Sequence, residues 1–419
     1  MSANSKFKIQ NSKLGKLVPA LLEWFTANAR DLPWRRTRDP YAIWVSEIML
    51  QQTQVKTVIP YWARWMRELP TVEALARARS EKIHKLWEGL GYYTRVRNMQ
   101  KAARQIVAEQ SVRRRRGDES QNKKELETPH PPSSVSGAAS VVSYKFPQGF
   151  DAILALPGIG RYTAGAICSI AFNQSTPILD GNVIRVLTRV SGIPGNPKEK
   201  KTNARLWQLA EDLVKRAACE PFPRSSRREE AHSKTGIGQS LLTSAATNEY
   251  ACSHLNQSLM ELGALICTPR SPQCGICPVK NICVARRERR VEELPNLGKR
   301  AATTERRFAA FIVERDGKFL VRQRPAGVVN AHLWEFPNAE VVAGQNGSAA
   351  FRRRAAPFHI VRHSITRYRI TLDAFRATLA KPTGKLAGRW LTLAELDSLP
   401  FTSAHRKIVV KLRALESQL

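Results

Sequence analysis

Acidic side chains are scarce in this 419-residue sequence: Asp and Glu number 35 against 67 Lys and Arg, a formal charge of +32. That imbalance argues against a neutral metabolite as the main partner and favours a polyanion, nucleic acid ahead of an anionic membrane surface. Long apolar runs are missing as well, and none approaches the ~18 residues of a spanning helix. Met1 to Lys16 are polar and lysine-bearing with no apolar stretch behind them. Neither a secretory signal nor an arginine-rich transit peptide is read there, so a reducing intracellular setting is expected. Cysteine is sparse, with seven in the chain, and in such a setting cysteines need a role other than disulfides. No internal repeat is present, and the length predicts two or three domains at roughly 150 residues each.

From about Leu14 to Gln110 apolar residues recur at helical spacing, rich in Trp and punctuated by Pro33, Pro40, Pro60 and Pro70, which predicts several short helices. Residues 111–146, with Arg113 to Arg116 in a row and then Pro129, Pro131 and Pro132, read as an inserted exposed loop. Helical periodicity resumes over Phe150 to Ala218 and, after a polar insertion at 219–248, over Tyr250 to Ile266. The basic segment 286–307 around Pro295 and Gly298 reads as a linker. Beyond it FAAFIVE, KFLVRQR and ITRYRITLDAF read as strands, with Asp316-Gly317 as a hairpin signal, so the C-terminal part is expected to be α+β or mostly β.

Four cysteines, Cys267, Cys274, Cys277 and Cys283, fall within 17 residues. Four thiolates so spaced can wrap one tetrahedral metal or one iron–sulfur cluster, and a single Cys-x-x-Cys pair favours a [4Fe–4S] cluster over zinc. Cys168, Cys219 and Cys252 read as small buried apolar residues. Leu156-Pro157-Gly158-Ile159-Gly160 lies between two helical stretches. Its glycines permit close backbone approach, and with the free N–H groups of the next helix they would form a helix–hairpin–helix grip on a DNA phosphate rather than an ordinary turn.

Two carboxylates stand out. Glu47 lies in a helical stretch, Ala42 to Thr57, opened by Asp39 as N-cap and Pro40, and three of its neighbours at helical spacing are the apolar Ile43, Trp44 and Leu50. If that face is inward, desolvation raises its pKa and suits it to general acid work; otherwise it is a solvated helix residue. Asp180 follows Pro177-Ile178-Leu179 and precedes the helical stretch from Val183. It is a plain N-cap or a carboxylate kept ionised by helix-terminal N–H groups. Together, a proton donor and a standing anion are what cleavage of a glycosidic bond requires.

LPWR at Leu32 to Arg35, SEIMLQQT at Ser46 to Thr53, GLGYYTRVRN at Gly89 to Asn98, LPGIGRYTAGAI, ILDGNV and the cysteine set together resemble the MutY family of adenine DNA glycosylases, within the endonuclease III superfamily. The resemblance implies an all-α helix-hairpin-helix glycosylase region over 1–285, a six-helix barrel plus an iron–sulfur cluster subdomain, then the linker and an α+β Nudix-like domain over 308–419. It implies excision of adenine mispaired with 8-oxoguanine or guanine in duplex DNA. Glu47 would protonate adenine, Asp180 would stabilise the sugar cation, and Tyr162 and Asn182 would support the sugar and Asp180. Leu32, Trp34, Arg35, Leu50 and Gln257 would surround the flipped adenine, Gln52 and Tyr92 would wedge into the stack, and Gly158 and Gly160 would hold phosphate.

Bifunctional relatives carry a Lys where this chain has Tyr162, so monofunctional cleavage is expected. Two departures matter. The family's Phe-Ser-His reader of 8-oxoguanine aligns with Ile365-Thr366-Arg367, which keeps a hydroxyl at Thr366 and offers Arg367 to a guanine edge or a phosphate but lacks the Phe. WEFPN at Trp334 to Asn338 fits the Nudix-like domain, yet the glutamate-rich pyrophosphatase box is absent and no nucleotide hydrolysis is expected. The expected setting is a bacterial cytoplasm, on the nucleoid, with the chain a monomer on DNA and no membrane partner. The alternatives are a non-catalytic iron–sulfur protein that only binds DNA lesions, and a bifunctional glycosylase/lyase.

Overall fold

The computed structural model describes residues 11–125, 144–219, 250–298, 302–341, 351–353, 356–365, 367–379 and 388–417. The chain divides into two compact units, one from Met1–Met66, Pro70–Val72 and Gln105–Lys299, the other from Arg67–Leu69, Glu73–Arg104 and Arg300–Leu419. Among the described residues no helix is long and apolar enough to cross a membrane.

The first unit is helical. Helix α1 covers Asn11–Asn28, a 3-10 turn Pro33–Arg35, α2 Pro40–Leu50 and α3 Val55–Glu68. Asp39 caps α2, its carboxylate accepting from the N–H of Tyr41 (3.0 Å) and Ala42 (3.3 Å), with Pro40 supplying the fixed φ of a first turn. The stretch read as one helix over Ala42 to Thr57 is two, because the chain turns at Gln51 and at Gln52 (φ 58°). After α4 (Val72–Arg77), α5 (Ser80–Trp87) and α6 (Thr94–Glu125) come α7 (Phe150–Leu154), α8 (Arg161–Phe172), α9 (Gly181–Ser191), α10 (Lys200–Cys219), α11 (Ala251–Leu265) and α12 (Val284–Arg287). The helical unit's core holds fully buried Trp44, Trp65, Ile167, Leu213, Leu255 and Leu262. The segment after α8 passes close against it: a Cβ on Gly165 would lie 2.3 Å from the Pro177 carbonyl oxygen.

Helix α6 corrects the expectation of a loop from residue 111, since it continues through the four arginines to Glu125. Arg, Gln, Lys and Glu are good helix formers, and Gly117 alone does not interrupt them. The rest of that insertion, and nearly all of the second at 219–248, lie outside the described residues.

The second unit combines α4, α5 and the start of α6 with strands and two helices. Its strands are β1 (Thr304–Arg315), β2 (Lys318–Gln323), β3 (Trp334–Glu335), β4 (Asn338–Glu340), β5 (Phe351–Arg353), β6 (His359–Ile365), β7 (Tyr368–Leu379) and β8 (Arg389–Thr392), followed by α13 (Leu393–Ser398) and α14 (Ser403–Glu416). The order is β3-β2-β1-β7-β5, with β4 beside β1, β6 beside β7 and β8 beside β2; β1 and β7 run parallel. Asp316 and Gly317, both left-handed (φ 51° and 67°), close the β1–β2 hairpin that the sequence signalled. The run ITRYRITLDAF holds a turn: Ile365 pairs with Tyr368 across residues 366–367. Strand β1 starts at Thr304, inside the segment read as linker. One sheet face packs Phe319, Phe336, Val361 and Leu372 against Phe401, Ile408 and Leu412, and the other carries Phe311 stacked on Phe351 at 4.7 Å.

Candidate active site

Helix α2 is buried along one continuous stretch from Tyr41 to Met49, so Glu47 is carried into the interior with its apolar neighbours, as the inward-facing alternative required. Tyr162, in the first turn of α8, donates its hydroxyl to Glu47 Oε2 at 2.8 Å and lies 3.4 Å from Met260 Sδ. Burial pushes the Glu47 carboxyl up to about 7; the Tyr162 hydrogen bond opposes this, the Asp180 charge adds to it and Arg35 opposes it. The Tyr162 phenol is itself held well above its ordinary value by burial and by the two carboxylates, so it remains a donor. Replacing Tyr162 by Phe removes a bond that stabilises ionised Glu47. The alkaline limb of the excision rate against pH is therefore expected to move to higher pH, and an unmoved limb in a single-turnover profile would contradict the contact's role.

Asp180 caps α9, accepting from Val183 N–H at 2.7 Å and from Asn182 Nδ2 at 2.9 Å. The cap agrees with the sequence; the titration does not. Helix-terminal donors were expected to favour the ionised form, but burial outweighs Val183, Asn182 and Arg185 and shifts the carboxyl upward. Asn182 is fixed in turn by Arg185, whose Nη2 donates to Asn182 Oδ1 (2.8 Å) and to the Gly263 carbonyl (2.6 Å) while its Nε donates to the Cys267 carbonyl (2.6 Å). This approach requires glycine at 263, where a Cβ would stand 2.6 Å from that of Asn182. Tyr162 and Asn182 thus serve different carboxylates: the Tyr162 hydroxyl bonds Glu47 and the Asn182 amide bonds Asp180.

Arg35 and Gln257, expected near one base, are joined: Arg35 Nε donates to Gln257 Oε1 at 3.0 Å and its Nη2 to Glu261 Oε2 at 3.0 Å. Arg30 adds two side-chain bonds of 2.7 Å to Glu261, a buried carboxylate absent from the sequence reading. Burial would raise Glu261, yet the Arg30 and Arg35 donors bring it down to about 2. Its contribution to stability is therefore fully present above its unfolded value near 4.5 and is lost as the pH falls through 2. Replacing Glu261 by Gln leaves two guanidiniums uncompensated, and urea titration at pH 7 is expected to show a loss of about 3–5 kcal/mol. A signal for Glu261 existed: Ser253, Gln257 and Glu261 recur every four residues along α11 and so share one line of the helix.

Leu32 and Trp34 are buried beside this network, Trp34 edge-on to Trp62 at 6.1 Å, and Leu50 is half-buried at the end of α2. Gly158 is left-handed (φ 79°) and Gly160 is an N-cap without a side chain, so the first N–H groups of α8 carry no side-chain cap and can face an anion. Gln52 (φ 58°) and Tyr92 (φ 47°) are both exposed and both left-handed. Such backbone costs of order 1–2 kcal/mol without glycine and gathers at functional positions. Arg367 is exposed in the β6–β7 turn, with Nη2 3.0 Å from the Tyr368 hydroxyl; Thr366 lies outside the described residues.

Cys267, Cys274, Cys277 and Cys283 line one cavity with Val186, Arg189 and Val279, and none is in a disulfide. Among the described residues no three His, Cys, Asp or Glu side chains are placed to hold a single ion. Arg189 is buried, with Nη1 3.4 Å from Cys267 Sγ and 2.8 Å from the Thr268 carbonyl. A guanidinium buried against sulfur is tolerable when that sulfur is an anionic thiolate ligand, so the donor set fits. Cys168 and Cys252 are buried as expected, whereas Cys219 is exposed at the end of α10.

Residues 45–212 match the HhH-GPD superfamily of base excision DNA repair proteins, 267–283 the iron–sulfur binding domain of endonuclease III, and 308–411 the NUDIX domain. The adenine DNA glycosylase of Rattus norvegicus is 32% identical over 93% of this chain and 76% of its own length; that of Homo sapiens is 31% identical over 93% and 72%. The chain belongs to the adenine DNA glycosylase family. A solved structure of a thermostable thymine-DNA glycosylase is similar at 23% identity and a TM-score of 0.46, covering 66% of this chain and 98% of that one. This glycosylase carries a [4Fe–4S] cluster, and the four cysteines fall in 267–283, the segment that matches the iron–sulfur binding domain. Held by Cys267, Cys274, Cys277 and Cys283, such a cluster would cross-link this segment of the chain.

Proposed function

We propose that this glycosylase hydrolyses the N-glycosidic bond of adenine paired with 8-oxoguanine or guanine in duplex DNA, releasing free adenine and leaving an abasic site. The observation that carries the reading is the contact of Tyr162 with a buried Glu47, whose carboxyl is pushed up to about 7 by burial and feels the charge of the capped Asp180. Glu47 in its protonated form delivers a proton to N7 of the extruded adenine. The electron pair of the C1′–N9 bond leaves with the base, and Asp180 faces the cationic sugar that results. Glu47, now ionised, accepts a proton from the water that adds to C1′. Extrusion is required because the bond is out of reach inside the duplex.

Arg35 and Gln257, held by Glu261 and Ser253, offer polar contacts to the base, and Leu32 and Trp34 an apolar wall. Gly158 and Gly160 bind a phosphate, and Gln52 and Tyr92 fill the stack that the base vacates. Tyr162 supplies no amine for a Schiff base, so the abasic strand stays intact until alkali cleaves it. Thr366 and Arg367 meet the opposite base without the stacked Phe of the family's pattern. A duplex carrying adenine opposite 8-oxoguanine, incubated with excess enzyme and split with and without hot alkali, tests the reading: strand scission confined to the alkali-treated half is expected.

A further inference from the structure

The loop between α5 and α6 concentrates backbone strain around one exposed aromatic ring. Gly89 (φ 104°), Gly91 (φ 69°) and Tyr92 (φ 47°) are all left-handed, and Tyr92 is 42% exposed. An aromatic residue stays in that conformation only where its surroundings over-determine it. From within, Trp87 Nε1 donates to the Gly91 carbonyl at 3.0 Å and Arg95 Nη2 to those of Leu90 (2.9 Å) and Gly91 (3.1 Å).

Both flanks of the loop are also held by the C-terminal part of the same unit. The Glu88 carboxylate accepts from the Phe401 N–H at 3.1 Å and from Arg406 Nε at 2.6 Å, with its side chain only 13% exposed. Lys85 donates to Glu88 at 2.8 Å and to the carbonyls of Asp397 and Leu399. On the far side, Arg97 Nη1 donates to the Ala331 carbonyl at 3.1 Å. Arg406 lies in α14, which packs against β6, and β6 ends in the turn that presents Arg367.

We propose that Glu88 and Arg406 are positioning residues that tie the loop presenting Tyr92 to the helix and strand presenting the β6–β7 turn. Contact of that turn with the strand opposite the adenine and insertion of Tyr92 into the base stack then occur as one event. An apolar or aromatic wedge lowers the cost of unstacking only when it arrives at the step being opened, so its placement relative to the reading turn controls extrusion. The inference rests on the reading of the protein as a glycosylase acting on mispaired adenine.

The test uses the full-length protein with its cluster bound and a duplex carrying 2-aminopurine or adenine opposite 8-oxoguanine. Glu88→Gln and Arg367→Ala are each expected to reduce both the 2-aminopurine fluorescence rise and the single-turnover excision rate about tenfold. The double variant should be no slower than the worse single one, since the two act through one linkage. Arg406→Met should match Glu88→Gln, and Arg406→Lys, which keeps a cation against Glu88, should recover most of the loss. Additive losses, or fluorescence and rates unchanged in Glu88→Gln and Arg406→Met, overturn the linkage. A loss in Arg406→Lys as large as in Arg406→Met, with lowered melting temperature in both, assigns the pair to stability alone and also overturns it. If the unaltered protein releases no adenine from any duplex, the functional reading falls and the linkage with it; if it releases adenine and only the coupling fails, the functional reading stands.

Discussion

Replacing Glu47 by Gln is expected to abolish adenine release while leaving duplex binding intact and making the folded protein more stable at alkaline pH. The amide keeps the shape and can still accept from the Tyr162 hydroxyl, which stands 2.8 Å from the native carboxyl, but it has no proton to deliver to the base. General acid catalysis contributes about 10²–10⁴-fold, so single-turnover excision should fall by at least that. The stability effect follows from the raised carboxyl. Glu47 ionises near 4.5 in the unfolded chain and near 7 in the folded one, so the folded state holds an extra proton between those values. Its favourable contribution is complete below 4.5 and is lost as the pH rises through 7, above which a buried charge persists. Removing that charge should stabilise the protein by about 1–3 kcal/mol at pH 8 and by nothing at pH 4, taking 1.36 kcal/mol per pKa unit. Retained turnover, or equal urea midpoints for both proteins at pH 8, contradicts the assignment.

Asp180→Asn separates chemistry from folding in the same way at the second carboxyl. Asn caps a helix as well as Asp does, so the bond from Val183 N–H (2.7 Å in the native protein) can be kept and α9 should start at the same place. Burial shifts the Asp180 carboxyl upward, which means that the site tolerates its charge at some cost and that the amide should not destabilise the fold. The standing negative charge opposite the sugar cation disappears, and electrostatic stabilisation of this kind is worth about 10²–10³ in rate when one group is removed. Excision should fall by that factor or more with the melting temperature unchanged or raised. A variant that loses its cluster colour and melts early would show instead that the Asp180–Asn182–Arg185 contacts serve the fold.

The two carboxylates could be singled out because each stood beside a clear helix start, although the local pattern alone left Glu47 either buried or solvated and Asp180 either a plain cap or a functional anion. Asp39-Pro40 fixed the start of α2, and burial of the whole stretch from Tyr41 to Met49 carries Glu47 inward. Asp180 sat one step before a clear helical run. What the sequence could not give was the sum of opposing effects at Asp180: local donors favour the ionised form, and only the packed structure supplies the burial that outweighs them. Glu261 was missed for a related reason, since its partners Arg30 and Arg35 lie more than 200 positions away along the chain. A buried acid without a visible cation reads as an ordinary helix residue.

Strand boundaries blurred where turn chemistry was weak. Asp316-Gly317 marked its hairpin, while the turn at 366–367 has neither Gly nor Asn and passed as strand. Helix α6 runs past the loop expected from residue 111 because a row of arginines, polar enough for a solvated loop, is also strongly helix-forming. The left-handed backbone of Gln52 and Tyr92 carries no residue-level signal at all, since neither side chain favours it.

The central claim is that a neutral, buried Glu47 protonates adenine opposite a lesion. Excess protein incubated with duplexes holding one adenine opposite 8-oxoguanine, guanine or thymine, across pH 5 to 9, tests it most directly. The account expects alkali-dependent scission opposite 8-oxoguanine and guanine, little opposite thymine, and a rate that declines as the pH rises past about 7. Scission without alkali, release that increases with pH through that range, or no release from any duplex by protein that retains its cluster would contradict it.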